Sequence, residues 1–129
     1  MTERKRSFWS WGLQDEAVDT KTLEKKLSIL CNALSLSPNE LTATAPPDFN
    51  RIMLRAPRFQ LPSSLQAFCT ADKHERLMRS LGKSFDDSCR ALALEYGNPP
   101  DYVAVPKDEH EIVELLSFCQ KEVSQQACN

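Results

Sequence analysis

The sequence predicts a mainly α fold with one short strand near its C-terminal side. Three observations carry this reading. Apolar residues recur at helical spacing in four stretches, from about 20–34, 72–81, 84–96 and 108–119. The last three each open on a residue able to cap a helix: Asp72, Ser84 and Asp108. The four residues Tyr102-Val103-Ala104-Val105 are continuously apolar and lie between Pro100 and Pro106. That run is too short for a helix and suits a strand buried on both faces.

Taken in order, Phe8, Trp9 and Trp11 form an aromatic cluster expected to dock the N-terminus on the body of the protein. A cofactor-stacking role is the alternative. The first helix spans about Thr20 to Leu34, with Leu23, Leu27, Leu30, Cys31 and Leu34 on one face. Ser37-Pro38-Asn39-Glu40 has the pattern of a capping box and opens a short helix or turn. The connector 38–62 carries Pro38, Pro46, Pro47, Pro57 and Pro62, which excludes continuous regular structure and predicts an extended, surface-hugging chain.

From Asp72 a helix is expected, with Glu75 completing its cap and Leu77, Met78 and Leu81 facing inward. Gly82 supplies its left-handed end. Ser84 then opens a helix with Phe85, Cys89, Leu92 and Tyr96 on one face, closed by Gly97, so that the two make a helical hairpin or corner. After the strand, Asp108 and Glu111 cap a last helix with Ile112, Leu115, Leu116 and Cys119 on its inner face. Beyond Glu122 the pattern is lost. No second strand is evident, so the strand at 102–105 is expected to lack a sheet neighbour and to be the least protected or the most self-associating part of the chain.

The composition, 41% hydrophobic and 26% charged over 129 residues, is that of a folded globular chain, one small domain or a domain and a fragment. A net charge of −2 gives no global field towards nucleic acid or anionic lipid, and Arg4-Lys5-Arg6 reads as a solvated end. There is no apolar run long enough to span a membrane, and Ser7, Ser10 and Gln14 break up any secretory h-region. Five scattered cysteines without a C-x-x-C pair are read as free buried thiols in a reducing compartment. An intracellular protein is therefore expected, cytoplasmic or within an organelle.

Catalytic patterns are missing. His110-Glu111-Ile112-Val113-Glu114 starts like a zinc-protease helix, but Glu114 stands where the second imidazole is required, so no metal site is expected. His74 and His110 read as first-turn residues. With three glycines there is no phosphate-cradling loop. Asp86 and Asp87 suit a helix N-terminus better than acid–base chemistry. Arg51, Arg55 and Arg58 could clamp an anion or a carboxylate elsewhere in a larger protein, with a solvated or internally paired role the favoured reading. The stretch 77–92 has the rhythm of a helix-turn-helix, but Asp86 and Asp87 would face DNA phosphates, so a DNA-binding role is the least favoured reading.

Trp9-Ser10-Trp11-Gly12, then Asp72, Arg76, Arg79 and Gly82, then Pro100-Asp101-Tyr102-Val103-Ala104-Val105-Pro106 followed by Glu111-Ile112-Val113, resemble motifs of the FAD-linked oxidases. The likeness is to the N-terminal part of alkyldihydroxyacetonephosphate synthases and D-lactate dehydrogenase relatives, over roughly residues 6 to 122. Ser10 departs from that family's glycine, and Leu81 stands where the alkyl-transferring members have histidine or a similar residue.

The resemblance implies a helical N-terminal region, 1–97, with the proline-rich connector 38–62. The first strand and helix of an α+β FAD-binding domain of the vanillyl-alcohol-oxidase type would follow at 98–129, incomplete. It implies FAD as the cofactor of the complete family member. The glycine-rich pyrophosphate loop and the catalytic positions have no counterpart here, so no catalytic residue is assigned and this chain alone is expected to bind no FAD. Pro106 is the one residue placed beside the cofactor, with a helix-opening proline as the plain alternative. Expected partners are the full-length flavoprotein or a second copy. The alternative function is a small helical interaction module.

Overall fold

A computed structural model describes residues 4–126, with side chains to 122. Among these residues lie four α-helices, α1 (Thr20–Ala33), α2 (Lys73–Met78), α3 (Phe85–Leu92) and α4 (Glu109–Gln126). Two short strands join them, β1 (Cys69–Thr70) and β2 (Val103–Ala104), so the chain is mainly helical. It divides into two compact units, each discontinuous in sequence: Met1–Met53 with Leu81–Gly97, and Leu54–Ser80 with Asn98–Asn129.

The first unit begins with a loop pinned by an antiparallel bridge between Arg6 and Leu13, with Ser7 N–H donating to Gly12 O at 3.0 Å. Gly12 turns this loop at φ 89°, a region side chains avoid. Phe8 is buried, edge-on to Phe49 at 5.4 Å and 6.5 Å from the Tyr96 ring. Trp11 does not join it: it is 78% exposed, and its indole Nε1–H donates to Lys83 O at 2.9 Å. Of the three aromatic residues expected to dock, Phe8 is buried, Trp9 is half-buried and Trp11 is attached through its indole N–H. Cys31, Ile52, Ala91 and Tyr96 complete the core of this unit.

α1 is capped by Asp19, whose carboxylate accepts from Thr22 N–H at 2.9 Å. Its inner face is only partly covered. Leu23 and Leu27 are half-buried and line a pocket together with the extended segment 41–46, while Leu30 and Leu34 remain about half exposed. Ser37-Pro38-Asn39-Glu40 makes a turn, with Glu40 N–H donating to Ser37 O. The connector is extended apart from a 3-10 turn at Phe49–Arg51, and it carries Ile52 into the core.

The helix ends differ from expectation. α1 closes with Leu36 N–H on Cys31 O and Ser35 N–H on Asn32 O, and α3 with Glu95 N–H on Arg90 O and Leu94 N–H on Ala91 O. This is the Schellman pattern, and its left-handed residues are Ser35 and Leu94 rather than glycine, at φ 55° and 62°. α3 thus stops at Leu92, before Gly97 is reached. Gly82 is not left-handed; Lys83 beside it is, at φ 62°. With α3 only eight residues long, its buried side runs through Ala91, and Phe85 and Cys89 are exposed. Small Ala91 lets the helix backbone approach the core. α2 and α3 fall in separate units, and α2 has six residues, so no hairpin is described for them.

In the second unit β2 has a partner. It pairs antiparallel with β1, Cys69 opposite Ala104 and Thr70 opposite Val103, and Val105 N–H extends the ladder to Phe68 O at 2.8 Å. The expectation of an unpaired strand is corrected; Cys69–Thr70 was too short to carry a period-two signal. The run is not buried on both faces: Val103 is buried, Tyr102 and Ala104 are half-buried and Val105 is 59% exposed. Leu65, Phe68, Leu77 and Val103 form the apolar core of this unit. His74 is buried there, against the expectation of an exposed first turn, whereas His110 is exposed.

α4 opens on Asp108, which accepts from Glu111 N–H at 2.9 Å, while Glu111 accepts from Lys107 N–H. The helix continues to Gln126, beyond the point at which its pattern fades. Of the four thiols described, Cys31 is buried, Cys69 half-buried, and Cys89 and Cys119 exposed, all free; Cys128 lies outside the described residues. The expectation of uniformly buried thiols is thereby corrected.

Ser35→Gly is expected to stabilise the chain by about 1 kcal/mol, because the left-handed conformation costs a side-chain-bearing residue that much. Chemical denaturation measures it, and an unchanged midpoint would contradict the assigned helix end. In a monomer, the Val105 amide should exchange slowly with deuterium compared with solvent-facing loop amides. Fast exchange there would mean that β1 and β2 do not pair.

Candidate functional site

Charged groups converge within the second unit around Asp101. Its carboxylate is 5% exposed and receives Arg55 Nη1 and Arg58 N–H on Oδ1, and Arg58 Nε and Nη2 on Oδ2 at 3.0 and 2.7 Å. Arg55 Nη2 also donates to Pro99 O at 3.1 Å. Arg76, buried in α2, donates Nε to Pro100 O at 2.6 Å and Nη2 to Arg55 O at 3.0 Å. Pro99 and Pro100 bring carbonyls but no N–H groups, so the arginines take up acceptors that no ladder would satisfy.

Burial pushes the Asp101 carboxyl upwards, but the hydrogen bonds from Arg58 and Arg55 outweigh it and hold the group down at about 2. The carboxylate is ionised throughout the neutral range. It is acceptor-saturated, so it is a structural anion and not a base. Of the arginines singled out by sequence, Arg55 and Arg58 pair internally at this site, whereas Arg51 lies exposed on the 3-10 turn of the first unit.

Beside this cluster lies a cavity of about 500 Å³, entirely within the second unit. Phe59 packs tilted against Tyr102 at 5.3 Å and Phe118 at 5.8 Å, and Leu61 and Leu115 add apolar wall. Tyr102 fixes its ring by donating its hydroxyl to Phe59 O at 2.8 Å. Cys69 and Cys119 both line the cavity. Burial foremost, then the charges of Cys119 and Glu111, raises the Cys69 thiol above its ordinary range, which opposes thiolate chemistry. The sequence did not single out Phe59, Leu61 or Phe118. They come from the connector and α4, and no spacing signals their meeting.

Pro106 is half-buried between β2 and α4, outside the cavity lining. A flavin pyrophosphate needs several free backbone N–H groups at a glycine-rich turn or helix N-terminus. Here carboxylates already occupy such positions: Asp19 on Thr22 N–H, Asp72 on Glu75 N–H, Asp87 on Ser84 N–H and Asp108 on Glu111 N–H. A Cβ on Gly82 would sit 3.0 Å from the Asp87 carboxylate, a poor neighbour for phosphate. The described residues do not fit the pyrophosphate of FAD. They also hold no group of three or more His, Cys, Asp or Glu able to bind a metal ion, and no helix among them is long and apolar enough to cross a membrane.

Two consequences of the Asp101 cluster can be measured. Removing both exposed-side partners, in Arg55→Met with Arg58→Met, should destabilise the chain by about 3 kcal/mol because it strands a buried carboxylate. Asp101→Asn should cost less, since Arg58, 71% exposed, can turn to water. The reverse order would show that the arginines, not the carboxylate, carry the desolvation. The folded carboxyl lies below its unfolded value of about 3.9, so its stabilisation is complete above that pH and is lost as pH falls towards about 2. Allowing for screening at Arg58, the loss is on the order of 1–2 kcal/mol. Urea midpoints at pH 5 and pH 2.5 in wild type and Asp101→Asn check it; an equal fall in both would remove Asp101 as the cause.

No family model, curated protein or solved structure matches this chain.

Proposed function

We propose that this chain is the N-terminal portion of an FAD-dependent oxidoreductase or alkyl-transferase of the FAD-linked oxidase kind, contributing an opening strand and helix without itself holding the flavin. One observation supports this above others. Arg76, from the Asp72-to-Gly82 segment that resembles the family, is bonded to the carbonyl of Pro100 at 2.6 Å, which starts the other resembling segment, Pro100–Pro106. Two stretches that resemble motifs of the same family thus meet through one buried guanidinium, as parts of a single unit would. In this reading Arg55, Arg58, Arg76 and Asp101 are positioning residues. They hold the turn that launches β2, and β2 leads through Pro106 into α4. FAD would supply the redox chemistry in the complete family member.

The second reading is an interaction module with no enzymatic role. It is favoured by the apolar side chains that α4 and its approach leave in solvent: Val105 at 59%, Val113 at 56% and Leu116 at 62% exposure. Self-association through them, or pairing with a full-length flavoprotein, serves either reading.

Transcripts of the locus and flavin binding separate the two. A reading frame extending past codon 122 into a strand and a glycine-rich loop is expected. Purified chain of 129 residues should neither retain yellow flavin nor quench added FAD fluorescence. Absence of any such extended frame would favour the interaction module, and stoichiometric flavin in the isolated chain would overturn the assignment of the phosphate site elsewhere.

A further inference from the structure

We propose that the cavity walled by Phe59, Tyr102 and Phe118 is a binding site for a small monocarboxylate with an apolar body. This goes beyond the flavoprotein reading and does not depend on it. The cavity, at about 500 Å³, has the size of a small-molecule site, and its apolar wall with a few polar groups at one side is the usual composition of such a site. Five apolar or aromatic side chains, Phe59, Leu61, Tyr102, Leu115 and Phe118, would enclose the body of the ligand. Tyr102 is locked by its hydroxyl bond to Phe59 O, and the Phe59 ring is held between Tyr102 and Phe118. The wall is thus set before any ligand arrives.

The charge of the lining selects the head group. Arg55, Arg58 and Asp101 all line the cavity, two cations against one carboxylate, leaving an excess positive charge. Asp101 has its acceptors filled by the two arginines, so it offers no welcome to a cation. Arg58 commits Nε and Nη2 to Asp101, and its Nη1 has no partner among the described residues. Its side chain is 71% exposed, so it can meet an incoming carboxylate without being desolvated in advance. Glu111, whose charge reaches Cys69, does not itself line the cavity and accepts from Lys107 N–H. An anion with an apolar tail satisfies both halves of the site, whereas an alcohol or an amine satisfies one.

The probes are hexanoate, octanoate and decanoate below their micelle concentrations, with octanol and octylamine as controls, titrated into the full chain by calorimetry. Affinity should rise about fourfold per added methylene until the cavity is filled. Octanol and octylamine should bind at least tenfold more weakly than octanoate. Arg58→Gln should weaken octanoate at least tenfold and leave octanol unchanged, and bound octanoate should slow alkylation of Cys119 by N-ethylmaleimide. Leu115→Trp, which fills the wall without touching the charges, should block all the carboxylates and guards against misfolding of the arginine variant. Equal binding of octanol and octanoate, carboxylate binding indifferent to both substitutions, or no saturable binding by any probe would overturn the proposal.

Discussion

The second unit is organised by one carboxylate that cannot be left alone. Asp101 is nearly inaccessible to water, and an isolated ionised carboxylate there would be costly enough to unfold a unit of this size. The chain answers with two guanidiniums and a backbone N–H from the stretch Arg55–Arg58, so the connector is bound to the segment before β2. Arg76 adds the third tie by bonding Pro100 O and Arg55 O together. Connector, α2 and the approach to β2 are thereby fixed at one point, and the short β1–β2 ladder forms beside it. A two-residue ladder is too weak to be the organising feature.

The same cluster gives the cavity its character. The arginines neutralise Asp101 and leave an excess of positive charge, while Tyr102, next in sequence, turns its ring onto Phe59. Asp101 among the charged groups and Tyr102 in the apolar wall are therefore consecutive residues of the approach to β2. In the flavoprotein reading this region is scaffolding for the opening strand; as a pocket it is complete within its own unit. The two roles are compatible because the pocket leaves the hydrogen bonds that hold the turn before β2 in place and does not include Pro106.

The first unit depends on less electrostatics and more on aromatic packing. Phe8 is held against Phe49 and Tyr96, and Cys31, Ile52 and Ala91 fill the remainder. The Tyr96 hydroxyl is buried with no hydrogen-bond partner among the described residues, and burial raises its ionisation to about 12, so the ring serves as an apolar body. The ion pairs of Arg4 with Asp15 and Glu16 join exposed groups and add little.

Helix starts were legible in the sequence because they are local. Asp19 was not singled out, but Asp72, Ser84 and Asp108 were, and each caps within three residues of itself. Helix stops were less legible: Ser35 and Leu94 take the left-handed position that glycine would advertise, and Gly82 stands next to the residue that does the turning. The prolines correctly implied an extended connector, but not that it would run from one unit into the other and deliver Arg55, Arg58 and Phe59 to Asp101 and Tyr102. Those contacts join residues more than forty positions apart. Nor could a strand of two residues be read as the partner of β2. The sequence by itself determined what depends on near neighbours: helical periods, caps, proline breaks and a net charge near neutral. Tertiary structure alone decided which residues were buried, which charges were paired and where a cavity opened, because burial and pairing are energies of assembled surfaces and no single segment contains them.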